Sequence, residues 1–487
     1  MVLEKKSLKF NFVLNMIRVG FNILFPIIVF PYVSQKLGPE NLGRVSFSTS
    51  VLNYFILIAS MGIPTYGVII CAKERNNLET LKKTICELIY ISLLLALLTY
   101  TVFLGCLFSV DKFQGDMRLF IISSMSILFT GIGLEWLYTA LEDFLYITIR
   151  SIATKFISLI LIFLFVKNTE DYLIYAAIIV FATVGSNILN FIHARRGIRF
   201  YKIYDINCKR HWKPILAFFS ASVASSITAN IDATMLGFSL GDYAVGIYDF
   251  SVKIKSFLVS VMTAGLGVML PRFSGYVAEK KYDKYRHEMR WVYIVSMALA
   301  CALSFFFCVH SKQVIMILGG EKYIDAQFPM VILTTCILVL GVTWTLGVGV
   351  LQPLGKEKEY AKVMIGACAL NVLLNAVLIP KLGVSGAAIA TFVTETFNMV
   401  AFYQYAKVFL DGCLKKSGLT KMMISASIAS VLTVYIKDII CFPSLVQLAL
   451  VFLIFISCYV VVLLAMHKEM RQMMKAILRK TQKISEL

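Results

Sequence analysis

Charge is what this sequence has least of. Only 15% of its 487 residues are Asp, Glu, Lys or Arg, against about a quarter in a soluble globular protein. Polar stretches are short as well, the longest breaks between apolar runs being about twenty residues, so no soluble domain fits between them. The eleven cysteines form no CxxC pair and keep no regular spacing. Most fall inside apolar runs, where cysteine serves as a small apolar core residue. The five histidines (His193, His211, His287, His310 and His467) are far apart and suggest no metal site. There is no GxxxxGKS loop, which excludes direct ATP drive within this chain.

What is present is apolar length. The chain is 59% hydrophobic with a mean hydropathy of +0.79, and its apolar residues gather in runs of roughly 18–25, each able to cross a ~30 Å hydrocarbon layer as a helix. Fourteen such helices are predicted, at approximately 10–33, 45–69, 84–108, 118–140, 147–166, 172–194, 214–238, 246–270, 291–309, 328–351, 361–379, 385–406, 421–440 and 444–466. The first is too long for a signal-peptide core and lacks a small-residue cleavage site, so it reads as a retained span. The fold class is an all-α polytopic membrane protein.

The basic residues orient these spans. With the N-terminal lysines (Lys5, Lys6, Lys9) in the cytoplasm, 34 of the 47 Lys and Arg fall on that side, nine on the other, and four inside apolar runs. Omitting one helix would invert every later loop and destroy the asymmetry that the positive-inside rule expects. Fourteen spans with both termini cytoplasmic is therefore the expectation. The net charge of +19 needs no nucleic acid, since anionic lipid of the inner leaflet attracts the same loops. The tail RQMMKAILRKTQKI reads as an amphipathic segment on that surface.

A repeat is written into the chain. Leu37-Gly38, Gly43, Phe47-Ser48 and Gly62 recur as Leu240-Gly241, Gly246, Phe250-Ser251 and Gly265, every pair offset by 203. Ala176-Ala177-Ile178, Phe181, Thr183 and Asn187 recur as Ala387-Ala388-Ile389, Phe392, Thr394 and Asn398, offset by 211. An offset of six helices is even, so both copies keep one orientation: two parallel six-helix repeats, an architecture of secondary transporters. The predicted organisation is an N-lobe over 1–194, a basic cytoplasmic linker over 195–213, a C-lobe over 214–409, two appended helices over 410–466 and a basic tail over 467–487.

The run PYVSQKLGPENLG…SFSTSVLNYFILIASMGIPTYG, from Pro31 to Gly67, resembles the N-terminal signature of bacterial polysaccharide-biosynthesis flippases, the O-antigen and capsule repeat-unit translocases. Glu135-Trp136-Leu137-Tyr138, followed by Leu141-Glu142-Asp143-Phe144 and Tyr146-Ile147-Thr148-Ile149-Arg150-Ser151, resembles the family's EWFFQG…YITIRS stretch. Leu137-Tyr138-Thr139-Ala140 departs from the usual FFQG. The larger multidrug/oligosaccharidyl-lipid/polysaccharide exporter superfamily also holds multidrug extruders and the lipid II flippase. The resemblance implies a V-shaped, two-lobed transporter of the bacterial cytoplasmic (inner) membrane. It implies a cargo of undecaprenyl-pyrophosphate-linked oligosaccharide, moved to the periplasmic leaflet with the glycan and pyrophosphate in a central cavity. A polysaccharide polymerase or glycosyltransferases are the partners such a role suggests, and no cofactor is implied beyond H+ or Na+ as coupling ion.

Ionisable groups at bilayer depth cost at least ~2.5–3.5 kcal/mol each and mark candidate sites. Arg18 either snorkels to the inner headgroups or grips a diphosphate with its fork. Asp249 and Lys253 share a helical face, where they either form a neutral structural pair or leave the lysine for cargo. Lys255 lies some 200° around from Lys253. Asn230 and Asp232 are the candidates for polar lining, with Asp232 a neutraliser of Lys253 or a proton or sodium site. Glu135, after Gly131-Ile132-Gly133, and Glu395 are the candidate conformational switches, and Lys155 reads as snorkelling. Two other functions compete. Cationic drug extrusion would want an acidic, apolar cavity, which the lysines oppose. A membrane glycosyltransferase or polymerase would need a large outer loop, and the longest here, about 310–327, is short. The protein is expected to be non-enzymatic.

Overall fold

The computed structural model describes residues 8–197, 207–410, 416–439 and 442–472. Among the described residues every regular element is helical. Hydrocarbon demands this, because backbone N–H and C=O groups find no water there and a helix satisfies them within one segment. Parts of the expected linker (198–206) and most of the expected amphipathic tail (473–487) lie outside the described residues.

The helices are α1 (Leu8–Ser60), α2 (Ile63–Glu74), α3 (Leu78–Ser109), α4 (Asp111–Gln114), α5 (Met117–Thr130), α6 (Glu135–Ala140), α7 (Phe144–Phe165), α8 (Tyr172–Gly197) and α9 (Lys209–Ser239). They continue with α10 (Asp242–Ala278), α11 (Tyr282–Val309), α12 (Ser311–Leu318), α13 (Gln327–Trp344), α14 (Glu357–Leu382), α15 (Val384–Leu410), α16 (Lys416–Ile436) and α17 (Ser444–Met466). Each of the fourteen expected segments lies mainly on helix, although 45–69 and 118–140 are each interrupted by a non-helical break and α16 ends at Ile436, short of the expected 440. Nine helices among the described residues are long and apolar enough to cross a membrane, or eleven if each of two bent pairs counts as one span. The smaller number has visible causes. Val13–Glu74 counts once although it is interrupted, α5 is short, and α15 intersperses Thr391, Thr394, Glu395 and Asn398 among its apolar residues.

Local chemistry sets the breaks. Gly38 (φ 75°, ψ 174°) takes a conformation closed to side chains and is followed by Pro39, which has no N–H to donate, so α1 turns there. Asn77 caps α3, its Oδ1 accepting from the amides of Glu79 (3.2 Å) and Thr80 (3.3 Å). Ahead of α8, Asp171 Oδ2 accepts from the amides of Lys167 (2.9 Å) and Asn168 (2.8 Å).

The chain forms two compact units, 1–246 and 247–487. In the first, α2, α3 and α6 bury Ile63, Tyr66, Cys71, Ile85, Leu88 and Trp136 in one cluster. α9 lies along the second half of α1, with Asn53 Nδ2 donating to Asn230 Oδ1 at 2.9 Å. At the end of this pair the two duplicated turns close on one another. A methyl on Gly43 would come within 1.8 Å of the Asp242 carbonyl oxygen, and one on Gly246 within 1.8 Å of that of Pro39. Pro39 and Asp242, like Gly43 and Gly246, are 203 apart, so equivalent atoms meet reciprocally. The unit boundary follows this packing: α9 opens the second sequence repeat yet is packed with the first.

The second unit has two clusters. α11, α16 and α17 pack through Met297, Cys301, Phe306, Met422, Ala429 and Phe455. Phe273, Tyr285, Leu346, Val350 and Phe402 form the other, around the π-helical turn Thr345–Leu351. Outward faces are apolar, with Val461 67% and Val102 61% exposed, as a surface meeting lipid chains requires.

Candidate functional site

The first unit holds two carboxylate–arginine clusters. The first is sealed. Glu87 of α3 is fully buried and its oxygens accept from the Asn207 amide (2.9 Å), Arg210 Nε (3.0 Å) and Nη2 (2.6 Å), and His211 Nε2 (2.9 Å). A carboxylate carries no proton to give, so His211 Nε2 must be the protonated nitrogen, and its Nδ1 meets the Tyr66 hydroxyl at 2.8 Å. Arg210 also donates to Thr84 Oγ1 (2.7 Å). These bonds tie the start of α9 to α2 and α3.

The second cluster is half open. Glu135, the first residue of α6, accepts from Arg18 Nη1 of α1 at Oε1 (2.6 Å) and from Arg150 Nη2 of α7 at Oε2 (2.9 Å). Its side chain is 52% exposed whereas that of Arg150 is 5% exposed. Arg18 further donates to Asn15 Oδ1 (3.1 Å), and Arg150 reaches the Ser186 carbonyl of α8 (3.4 Å). Lys155, one turn beyond Arg150, donates to Asn22 Oδ1 of α1, so its ammonium turns to α1 rather than away from it. Two guanidiniums thus contact one carboxylate and the Lys155 ammonium lies within electrostatic range of it, a net of two positive charges among apolar helices. Nε of Arg18 and Nε of Arg150 are both buried without a hydrogen-bond acceptor. Donors outnumber acceptors here, which is the make-up of an anion site.

Two spaces adjoin it. A cavity of about 140 Å³ beside Glu135 is lined by Ser60, Ser92, Thr130 and Asn187 together with the apolar Ile63, Pro64 and Trp136. A groove of about 400 Å³ along α7 runs past Tyr146, Ile149, Arg150, Ala153 and Ile157, and its lining is almost wholly apolar.

The remaining expected residues are dispersed. Asn230 donates to the Ser226 carbonyl (2.8 Å) besides accepting from Asn53. Asp232 is buried on α9. In the second unit Lys253 Nζ lies 2.7 Å from Asp249 Oδ2, the i,i+4 pair foreseen from spacing. Lys255 and Glu395 lie within electrostatic range of buried Cys336, and Glu395 Oε2 accepts from Asn398 Nδ2 (3.3 Å). Arg18 and Glu135, chosen separately, are brought together. Arg150 was not among the expected site residues. The signal was available: Tyr146-Ile147-Thr148-Ile149 before it and Ser151-Ile152-Ala153 after it form a helical apolar setting. No group of three or more potential metal ligands occurs among the described residues.

Comparison with known proteins matches this architecture. The chain is 23% identical over 400 residues to a protein of Escherichia coli (strain K12) provisionally named an O-antigen transporter, covering 80% of this chain and 95% of that one. It is 21% identical over 425 residues to the capsular polysaccharide biosynthesis protein CapF of Staphylococcus aureus, covering 82% and 99%. The structure of lipid II flippase MurJ in an inward closed conformation superposes with a TM-score of 0.75 at 14% identity, covering 94% of this chain and 99% of that one. An inward-facing multidrug resistance MATE transporter gives 0.61 at 14% identity, covering 82% and 99%. The profile of the polysaccharide biosynthesis protein family matches residues 8–277, more than half of the chain, and the protein belongs to that family, on the fold it shares with MurJ and the MATE transporters.

Proposed function

We propose that the protein is a flippase for lipid-linked oligosaccharide, carrying undecaprenyl-pyrophosphate-linked repeat units from the cytoplasmic to the periplasmic leaflet by alternating access. It is a transporter and not an enzyme. The observation that carries this reading is the cation cluster of Arg18, Arg150 and Lys155 around Glu135. Each charge at bilayer depth is costly, and a surplus of two positive charges suits a diphosphate, which a pair of planar guanidinium forks grips in bidentate fashion. The hydroxyls, the amide and the Trp136 face of the small cavity offer contacts to sugar, and the apolar groove past Arg150 gives the polyprenyl chain a course beside its headgroup. The kinship with O-antigen and capsule proteins supports a glycan cargo.

On this reading the chain has fourteen spans in two parallel six-helix lobes plus an appended pair, with both ends cytoplasmic in a bacterial inner membrane. The reciprocal closure of the duplicated turns supports the repeat. Lys253 and Lys255 are further cations for the cargo's phosphates, Asn230, Asp232 and Asp249 are polar groups and the candidate sites of a coupling proton or sodium ion, and Glu395 is a second switch. Extrusion of cationic drugs fits the MATE fold but not a site of net positive charge.

The test is transbilayer movement of a fluorescent undecaprenyl-pyrophosphate oligosaccharide in proteoliposomes. Wild type should move it, and Arg18→Gln and Arg150→Gln should each slow it by at least about tenfold, the loss of one charge-assisted contact. Absence of movement by wild type, beside proton-dependent export of a cationic dye, would transfer the assignment to drug extrusion.

A further inference from the structure

Resting on the flippase reading, and deepening it, we propose that Glu135 is a tethered occupant of the anion site, displaced by the phosphate groups of arriving cargo, and that its release is passed through α6 to α2 and α8. The carboxylate bridges the two guanidiniums from opposite sides, Oε1 on Arg18 and Oε2 on Arg150. It takes one donor from each and leaves both Nε groups without an acceptor. The diphosphate of such a cargo offers four non-bridging oxygens in place of the carboxylate's two and can satisfy donors that a bridging carboxylate leaves idle. Exchange is open to it, since Glu135 is half exposed while Arg150 beneath it is buried. Charge balance points the same way. With Glu135 in place the three cations keep a surplus of two, and a diphosphate that displaces it meets three.

The segment that carries Glu135 is built to respond. α6 is only six residues long. It is set off from α5 by the non-helical stretch Gly131–Leu134 and from α7 by a turn in which Glu142 adopts φ 58°. Its other face is tied to its neighbours. Trp136 packs so tightly on Gly67 of α2 that a methyl there would lie 2.6 Å from the indole ring. Glu142, just beyond α6, pairs with Arg75 at the end of α2 (2.9 Å). The Tyr138 hydroxyl donates to the Asn190 carbonyl of α8 (2.9 Å). A change at Glu135 therefore reaches α2 through Trp136 and α8 through Tyr138. Cargo binding gains a route to conformational change because the cargo and Glu135 compete for the same two arginines.

The experiment measures binding of geranylgeranyl diphosphate, with geranylgeraniol as the headless control, to the full-length detergent-solubilised protein. It compares wild type, Glu135→Gln and Glu135→Asp, and measures flipping of the lipid-linked glycan by the same proteins. Displacement predicts that Glu135→Gln binds the diphosphate about five- to tenfold more tightly than wild type yet flips glycan about tenfold more slowly, while geranylgeraniol binding is unchanged. Glu135→Asp, too short to span both arginines, should bind with intermediate strength; it carries the test should the amide variant fail to fold. Wild-type or weaker diphosphate binding by a folded Glu135 variant, with wild type still moving glycan, overturns the displacement and leaves the flippase reading standing. Tighter binding by the variants, with no glycan movement by wild type, keeps the displacement and removes the flippase reading.

Discussion

Two carboxylates in one compact unit, Glu87 and Glu135, each meet arginine, and their surroundings could hardly differ more. Glu87 is fully buried and its two oxygens collect four donors from Asn207, Arg210 and His211. Glu135 is half exposed, collects one donor per oxygen, and leaves two buried guanidinium nitrogens idle. An enclosed carboxylate saturated with donors has nothing left to exchange, so its role is to fix geometry, here the docking of α9 on α2 and α3. An unsaturated pair facing a cavity keeps its capacity for exchange. Counting donors against acceptors separates a structural charge cluster from a binding one better than burial or charge alone does.

The largest expected effect tests that separation directly. Glu87→Gln removes the charge that compensates Arg210 and turns an acceptor oxygen into a donor amide facing other donors. Breaking a buried pair costs about 3–5 kcal/mol, and the 39% exposure of the Arg210 side chain places this one near about 3 kcal/mol. Thermal unfolding in detergent should show a large drop in Tm for Glu87→Gln. Glu135→Gln should show a smaller drop, because its carboxylate is half exposed and screened by solvent. Equal drops in the two variants would erase the distinction.

A smaller effect sharpens it. Tyr66→Phe deletes only the hydroxyl that meets His211 Nδ1 in the sealed cluster, where nothing can replace it, and should cost about 1 kcal/mol. The matching change in the open cluster, Asn15→Ala, removes the acceptor of Arg18 Nη2 and should alter stability by about 0.5 kcal/mol or less. It should act instead on diphosphate binding, since it loosens the arginine. A stability loss for Asn15→Ala as large as that for Tyr66→Phe would mean that both clusters are structural.

How much of this was legible beforehand depended on the range of the signal. The helices were legible because apolar runs act locally, and the repeat paired Gly38 with Gly241, which take φ 75° and 88°. Arg18 stood out as a charge inside an apolar run, and Glu135 as a carboxylate between helix-breaking glycines and a tryptophan. Arg150 escaped because the expected helix opened near residue 147. With α7 beginning at Phe144, Arg150 lies nearly two turns inside it. Glu87 escaped for another reason. Its partners Arg210 and His211 are more than 120 positions away, and no periodicity links residues that only tertiary packing brings together. The packing boundary at Gly246 was hidden in the same way: the repeat is a property of sequence, while the seat of α9 against α1 is a property of surfaces such as Gly43, Asn53 and Gly237.

The weakest expected effect comes from a carboxylate in neither cluster and calibrates both. Asp171, in the loop before α8, accepts from two backbone amides and meets no arginine among its hydrogen bonds. Those amide bonds, from Asn168 first and then Lys167, hold its pKa below the ordinary carboxylate range. A group whose folded pKa is depressed contributes stability that is fully present above its unfolded pKa, ~3.9 for Asp. That stability is lost as pH falls through the lower, folded pKa. Wild type should therefore melt slightly above Asp171→Asn near neutral pH, and the gap should close once pH falls well below about 4. A gap that persists unchanged under acid would show that the side chain acts through hydrogen-bond geometry alone. Its size near neutrality sets the scale for a carboxylate that only shapes a turn, against which the Glu87 and Glu135 effects are to be read.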